Sequence, residues 1–290
     1  MAVVLITGAG NGIGLEAALA FARNGDRVIA SMRNLEKGDA LLRRAAEAGL
    51  EIEVVCLDVA NSESFASFAE SLIYRHGRLD VLVNNAGILP VGSLEDVSEA
   101  AFRQVMEVNC IGPLMLTRAF LPQFREQRSG LIIMMSSLSG IAGLPGDLPY
   151  SASKFALEGA TEALRHEVDR WGIRVALVQA AMYATDIFDS DAPVLPDSYP
   201  ADSAYKALIA TRIKEVRARL PDARDPRVVA EHFVNIANST EDRLRWPADE
   251  VARSVLATTF AQTDAERDRF LQDVAGVQWW SQGQDAPDAN

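Results

Sequence analysis

Short runs of apolar, often β-branched residues alternate with longer stretches whose apolar positions recur every three or four residues. The alternation holds through roughly the first 180 residues of the 290-residue chain. The runs predict strands at 3–7, 27–32, 51–57, 79–83, 130–135 and 174–179. The stretches between them predict helices over 12–24, 35–48, 62–76, 98–128 and 150–171, the fourth interrupted by Gly112 and Pro113. Strands that are apolar throughout need cover on both faces, which is the signature of a parallel sheet joined by helices. Right-handed crossovers then give a doubly wound, Rossmann-like α/β fold with a mainly parallel sheet of about seven strands. Beyond residue 180 the alternation fades. Residues 186–275 read as mostly helical, with a short strand expected at 243–246. The expected organisation is one domain over 1–280, with a substrate lid at about 186–220 and a helical extension at about 221–280. A polar tail, 281–290, is expected to lack order.

Composition excludes several classes. Apolar residues make up 49% and charged residues 23% of the chain, as in ordinary globular proteins. No apolar run reaches the length of a membrane span. The N-terminus runs straight into a strand with no basic region or cleavage site, so no signal peptide is expected and a cytoplasmic location is. The net charge is −12 and both halves of the chain are acidic, which leaves no basic footprint for nucleic acid or anionic lipid. Cys56 and Cys110 lie in apolar contexts and read as buried thiols. His76, His166 and His232 are far apart, without metal-ligand spacing.

Chemistry enters at the end of the first strand. Thr7-Gly8-Ala9-Gly10-Asn11-Gly12-Ile13-Gly14 places a glycine-rich turn between a strand and a helix N-terminus. Glycines allow a pyrophosphate to approach the backbone, and the helix start offers free N–H groups and a positive dipole end. No Gly-Lys-Ser/Thr ending follows, so the turn is not an NTPase P-loop. A second pair of residue types stands out at the start of the helix at 150–171. Tyr150 and Lys154 are four apart and share a helix face, and a nearby ammonium favours the phenolate. That pairing suits general acid/base work.

Four further stretches complete a pattern: Asn84-Asn85-Ala86-Gly87, Asn109, Ser136-Ser137 and Tyr150-Ser151-Ala152-Ser153-Lys154. With the glycine loop, in this order, they resemble the short-chain dehydrogenase/reductase family over about residues 2–190. The run from Tyr150 to Gly159 is similar to the hydroxysteroid and retinol dehydrogenase branch. The resemblance implies Tyr150 as acid/base, Lys154 as its modulator and nicotinamide-ribose ligand, Ser137 as the partner of the substrate oxygen, and Asn109 as the residue behind a water relay. It implies a cofactor cradle of Gly8, Gly10, Asn11, Gly12, Ile13 and Gly14, with Asp58 and Val59 at the adenine. Asn85, Ala86 and Gly87 line the far side of that cradle, and Thr185 meets the carboxamide. Asp80 matches a family acid that helps to hold the Asn-Asn-Ala-Gly turn. Relatives also form dimers and tetramers through the helices equivalent to 98–128 and 150–171, so a homodimer or homotetramer is expected.

The second strand ends without the acid that usually accepts from the ribose hydroxyls of NAD. Arg33 stands there instead, placed for the 2′-phosphate of NADP(H). The glycine loop itself carries no second basic residue, and NAD(H) stays open as the alternative. Family topology places Leu89, Leu138, Leu144 and Leu148 on the substrate side, together with Tyr183, Ile187 and Phe188. Mostly apolar, they point to a neutral, hydrophobic ketone or secondary alcohol. One departure stands out: the family's Pro-Gly after the sixth strand is here Ala180-Ala181. It keeps open an impaired or non-redox protein of the same fold, such as an epimerase, dehydratase, dehalogenase or nucleotide-binding protein. Trp279-Trp280 packs either over the lid or onto a neighbouring subunit.

Overall fold

The computed structural model describes residues 1–188, 199–276 and 278–285. Six strands, β1 (Val3–Thr7), β2 (Arg27–Met32), β3 (Ile52–Cys56), β4 (Val81–Asn84), β5 (Gly130–Met135) and β6 (Ile173–Val178), form one parallel sheet in the order β3-β2-β1-β4-β5-β6. The helices of the first two-thirds are α1 (Gly12–Arg23), α2 (Gly38–Glu47), α3 (Phe65–His76), α4 (Glu99–Met106), α5 (Gly112–Gln127) and α6 (Leu148–Val168). The remainder carries α7 (Lys206–Arg219), α8 (Arg227–Asn238), α9 (Glu250–Ala261), α10 (Asp264–Ala275) and α11 (Gln278–Ser281). Strand order reverses at β1, which pairs with both β2 and β4. Such a switch point opens a crevice at the carboxyl ends of the strands.

Both faces of the sheet are covered. On one, α1, α2 and α8 bury Phe21, Leu41 and Phe233 against Val4, Ile6 and Val83. On the other, α3, α5 and α6 bury Phe65, Phe120, Phe124 and Leu157 against Leu5, Leu82 and Ile132. The central strands β1 and β4 are therefore buried throughout and apolar up to Thr7 and Asn84 at their ends. The edge strand β3 is only half-buried. Cys56, at its end, is exposed, contrary to the sequence expectation, whereas Cys110 is buried.

The sheet has six strands among the described residues, one fewer than expected. The strand foreseen at 243–246 is a single bridge beside β6: Leu177 N–H donates to Leu244 O (2.7 Å) and Trp246 N–H to Leu177 O (2.8 Å). Pro247 takes the position whose N–H would face away from β6, and Ala248 N–H donates to Gln179 O (2.8 Å) beyond it. The helix expected over 98–128 is broken earlier than Gly112, by a π turn at Glu107–Ile111 between α4 and α5. Residues 281–285 continue from α11 in hydrogen-bonded turns where composition suggests a disordered tail, while 286–290 lie outside the described residues. So do 189–198, within the segment read as a lid, and the side chain of Phe188. Among the described residues no helix is long and apolar enough to cross a membrane.

Candidate active site

The crevice at the switch point is built from two interlocked loops. Gly8 and Gly12 have φ of +68° and +51°, a region side chains rarely adopt. A Cβ on Gly14 would lie 2.3 Å from Gly8 O and 2.6 Å from Asn85 Nδ2, so only glycine lets α1 start here. The glycine loop is tied to the turn after β4 by Thr7 and Asn85. Thr7 Oγ1 accepts from the N–H groups of Asn85 (3.0 Å) and Ala86 (3.1 Å), and Asn85 Nδ2 donates to Thr7 O (2.9 Å). Thr7 is thus a structural clamp of the site that the sequence reading quoted but did not assign. Asp80 acts elsewhere than expected. It lies at the opposite end of β4, where its Oδ2 accepts from Val3 N–H (2.8 Å) and so anchors the start of β1.

Three elements bring the candidate catalytic groups together. Ser137 follows β5, and Tyr150 and Lys154 come from the first turns of α6. Tyr150 packs with Leu89, Val91 and Ile187, and its phenol lies near enough to Ser137 for that hydroxyl to ease its ionisation. Lys154 Nζ donates to Met135 O (2.7 Å) and lies 5.6 Å from the Tyr150 ring centroid. Asn109 sits in the π turn and is wholly buried. Its amide donates to Ile88 O (2.8 Å) and Ser153 Oγ (3.1 Å), and its Oδ1 accepts from Ile88 N–H (2.8 Å). The Asn109 side chain is therefore committed to holding the turn after Gly87.

Burial dominates the electrostatics. It pushes the Tyr150 phenol up to about 12, with the Asp147 carboxylate adding to the rise and the Ser137 hydroxyl opposing it. The expected lowering by Lys154 is not what the geometry gives, because that ammonium is turned to a backbone carbonyl. Burial likewise pushes Lys154 down to about 8, against the pull of Cys110 and Glu158. Asp147, one turn before Tyr150, is pushed up to about 6 by desolvation, with Arg212 opposing. Asp147 was not singled out from the sequence. Its place at the head of α6, where its side chain makes no capping bond, is the available signal. Behind Lys154, Glu158 accepts from Gln179 Nε2 (2.7 Å) and Arg245 Nε (3.1 Å), so its buried charge is paired.

The cofactor-side residues converge on the same crevice. Arg33 is exposed just past the end of β2. Lys37 is exposed, and its Cβ lies 3.1 Å from where a Cβ on Gly10 would be. Val59 is buried against Gly112, whose missing side chain lets α5 approach Val59 O, and Asp58 accepts from Ala60 N–H (3.0 Å). Thr185 touches the open face of Gly12, and Asn11 donates to Asp186 Oδ2 (2.8 Å). Ile13 packs at the edge of the core beneath this loop.

The substrate-side candidates divide. Leu89 and Ile187 pack at Tyr150, and Leu138 is half-buried just after Ser137. Leu144 belongs to a separate cluster with Leu208, Tyr205 and Trp280, and Leu148 is exposed. Tyr183 is displaced from the pocket altogether. It is 2% exposed, packs in the large core, and its hydroxyl donates to Asp249 Oδ2 (2.8 Å). A bridge between Tyr183 and Arg224 turns it that way. Trp280 meets Tyr205 within the same chain, with ring centroids 6.2 Å apart.

Comparison with known proteins agrees with this geometry. The model of the short chain dehydrogenase family matches residues 2–193. The 17-beta-hydroxysteroid dehydrogenase type 1 of Mus musculus is 33% identical over 251 residues, covering 84% of this chain and 72% of its own. A crystal structure of a short-chain dehydrogenase from Streptomyces avermitilis superposes with a TM-score of 0.79 at 32% identity, covering 96% of this chain and 98% of that one. A metagenomic short-chain oxidoreductase in complex with NADP gives 0.68 at 28%, covering 85% and 96%. The glycine loop locked to its neighbouring turn, the Ser-Tyr-Lys cluster and these matches all lie in the same part of the chain, which belongs to the short-chain dehydrogenase family of oxidoreductases.

Proposed function

We propose that this protein is an NADP(H)-dependent oxidoreductase that interconverts a hydrophobic ketone and its secondary alcohol, with Tyr150 as general acid/base. The observation that carries the reading is the joint placement of Ser137, Tyr150 and Lys154 beside a glycine loop with no room for side chains at Gly8 and Gly14. The crevice fits a dinucleotide. Gly8 to Gly14 and the start of α1 would hold the pyrophosphate, Asp58 and Val59 the adenine, and Lys154 and Thr185 the nicotinamide end. Arg33 and Lys37 are two exposed cations that flank the 2′-position, and no acid competes with them at the end of β2. The NADP held by the metagenomic relative supports the same choice.

When bound, NADPH supplies the hydride. The chain's own groups handle the oxygen and the proton. Ser137 lies close enough to act on the Tyr150 phenol, so both hydroxyls would donate to a carbonyl oxygen placed between them. As negative charge develops there, Tyr150 Oη gives up its proton. The Lys154 ammonium, 5.6 Å from the ring and bonded to Met135 O, would stabilise the phenolate that results once it turns from that carbonyl. Leu89, Val91 and Ile187 keep water from this point. A phenol pushed up to about 12 stays protonated at neutral pH, the form in which it can act as the general acid.

The test is to follow NADPH and NADH absorbance with steroid, aromatic and aliphatic ketones. Oxidation of NADPH in preference to NADH by one ketone class is the expected result. No oxidation of either, despite tight cofactor binding, would overturn the redox reading.

A further inference from the structure

The loop after β6 is the one place where the motif departs from its family, and it is also where the C-terminal third of the chain grips the active site. Ala180-Ala181 replaces a proline that would restrict φ and a glycine that would relax it. What fixes the loop here is a carboxylate 68 residues further along the chain. Asp249 Oδ2 accepts from Ala181 N–H (3.2 Å) and from Tyr183 Oη (2.8 Å), and Oδ1 accepts from Ala252 N–H (2.9 Å), capping α9. The backbone beside it adds Ala248 N–H to Gln179 O (2.8 Å). On the loop's far side Ala184 N–H donates to Arg224 O (2.8 Å), and Arg224 N–H to Met182 O (3.2 Å).

We propose that Asp249 is a positioning residue for the nicotinamide half of the site, its carboxylate holding residues 180–185 in the path that proline and glycine set in relatives. The proposal rests on the cofactor reading above. Three features support it. Asp249 is only 9% exposed and has donors on both oxygens, as a buried carboxylate needs. Charge-assisted bonds of this kind are stronger than those between neutral groups. The loop ends at Thr185, which already touches Gly12 at the pyrophosphate turn, so a shift of the loop is a shift of Thr185 against the cofactor. Tyr183, whose pKa the Asp249 carboxylate and burial both raise, is thereby a protonated strut rather than a pocket residue.

The experiment compares NADPH with 2′,5′-ADP, a fragment that has the phosphorylated ribose and adenine but no nicotinamide. Affinities of both are measured on the wild type, Asp249→Asn and Tyr183→Phe, with circular dichroism as the check on folding. Asparagine keeps an oxygen to cap α9. Asp249→Asn should weaken NADPH by about tenfold and leave 2′,5′-ADP within about twofold, with Tyr183→Phe intermediate. Replacing Ala180-Ala181 by Pro-Gly in the Asp249→Asn background should restore most of the NADPH affinity. Equal weakening of the two ligands would show a cap for α9 and nothing more, and would overturn the proposal. So would unchanged NADPH binding in a folded Asp249→Asn protein. Should the wild type fail to bind NADPH at all, it is the cofactor reading that falls.

Discussion

Tyr150 and Lys154 show how a pair legible in the sequence acquires properties that the spacing does not convey. Their four-residue separation predicts a shared face, and they share it. Their ionisation is set by burial, which depends on Leu89, Val91 and Ile187 from distant segments. Tyr150→Phe removes the proton donor and leaves the packing, so turnover should drop by at least about a thousandfold while NADPH affinity holds. Full activity in that variant would refute the mechanism. Lys154, at about 8, loses its charge just above neutrality, so kcat/KM for NADPH should fall above about pH 8. Lys154→Arg carries a guanidinium that keeps its proton and should move that fall upward by more than about one unit, at a lower rate. Asp147 gives a stability test of opposite origin. Its folded pKa of about 6 exceeds the ordinary 3.8, so the fold binds this proton more tightly than the unfolded chain does. Stability from this group therefore declines as pH rises from about 4 to 6, and the cost persists above that. Asp147→Asn should stabilise the protein at pH 7.5 by up to about 3 kcal/mol and by far less at pH 4.5, as read by chemical denaturation.

At the scale of elements, local pattern predicted what local physics decides. Apolar runs marked the strands to within two residues, and the glycines marked the start of α1. The π turn at Glu107–Ile111 left only an indirect trace, the Gly112-Pro113 pair that follows it, because an inserted residue has no composition of its own. Lys37 over Gly10 and Tyr183 on Asp249 were not legible, since each joins segments that the chain brings together only after folding. The two cations make a paired prediction. Arg33→Asp should reverse the preference for NADPH over NADH, and Lys37→Ala should reduce it by about tenfold, measured as the ratio of the two kcat/KM values. If neither changes that ratio, the 2′-phosphate assignment is wrong.

The whole molecule is a sheet whose order follows from the sequence of elements and whose C-terminal third does not. α8 packs Phe233 onto α1, and residues 246–249 run beside β6, so the extension supports the sheet and the loop at its end. Ile111 and Phe155, on the helices that relatives use for assembly, are 40% and 39% exposed. A homodimer or homotetramer through this face is the corresponding proposal, and Phe155→Glu should reduce the mass measured by light scattering if it holds. One contact described above bears on how fast such a molecule works. The Asn11 amide, at the mouth of the helix where a pyrophosphate would settle, is held by the Asp186 carboxylate. We infer that loading the coenzyme would exchange one anion for another at this amide, so that Asp186 would compete with the pyrophosphate, slowing its arrival and hastening its departure. Asp186→Ala should lengthen the residence time of NADPH in stopped-flow fluorescence, trading turnover for grip wherever coenzyme release limits the cycle.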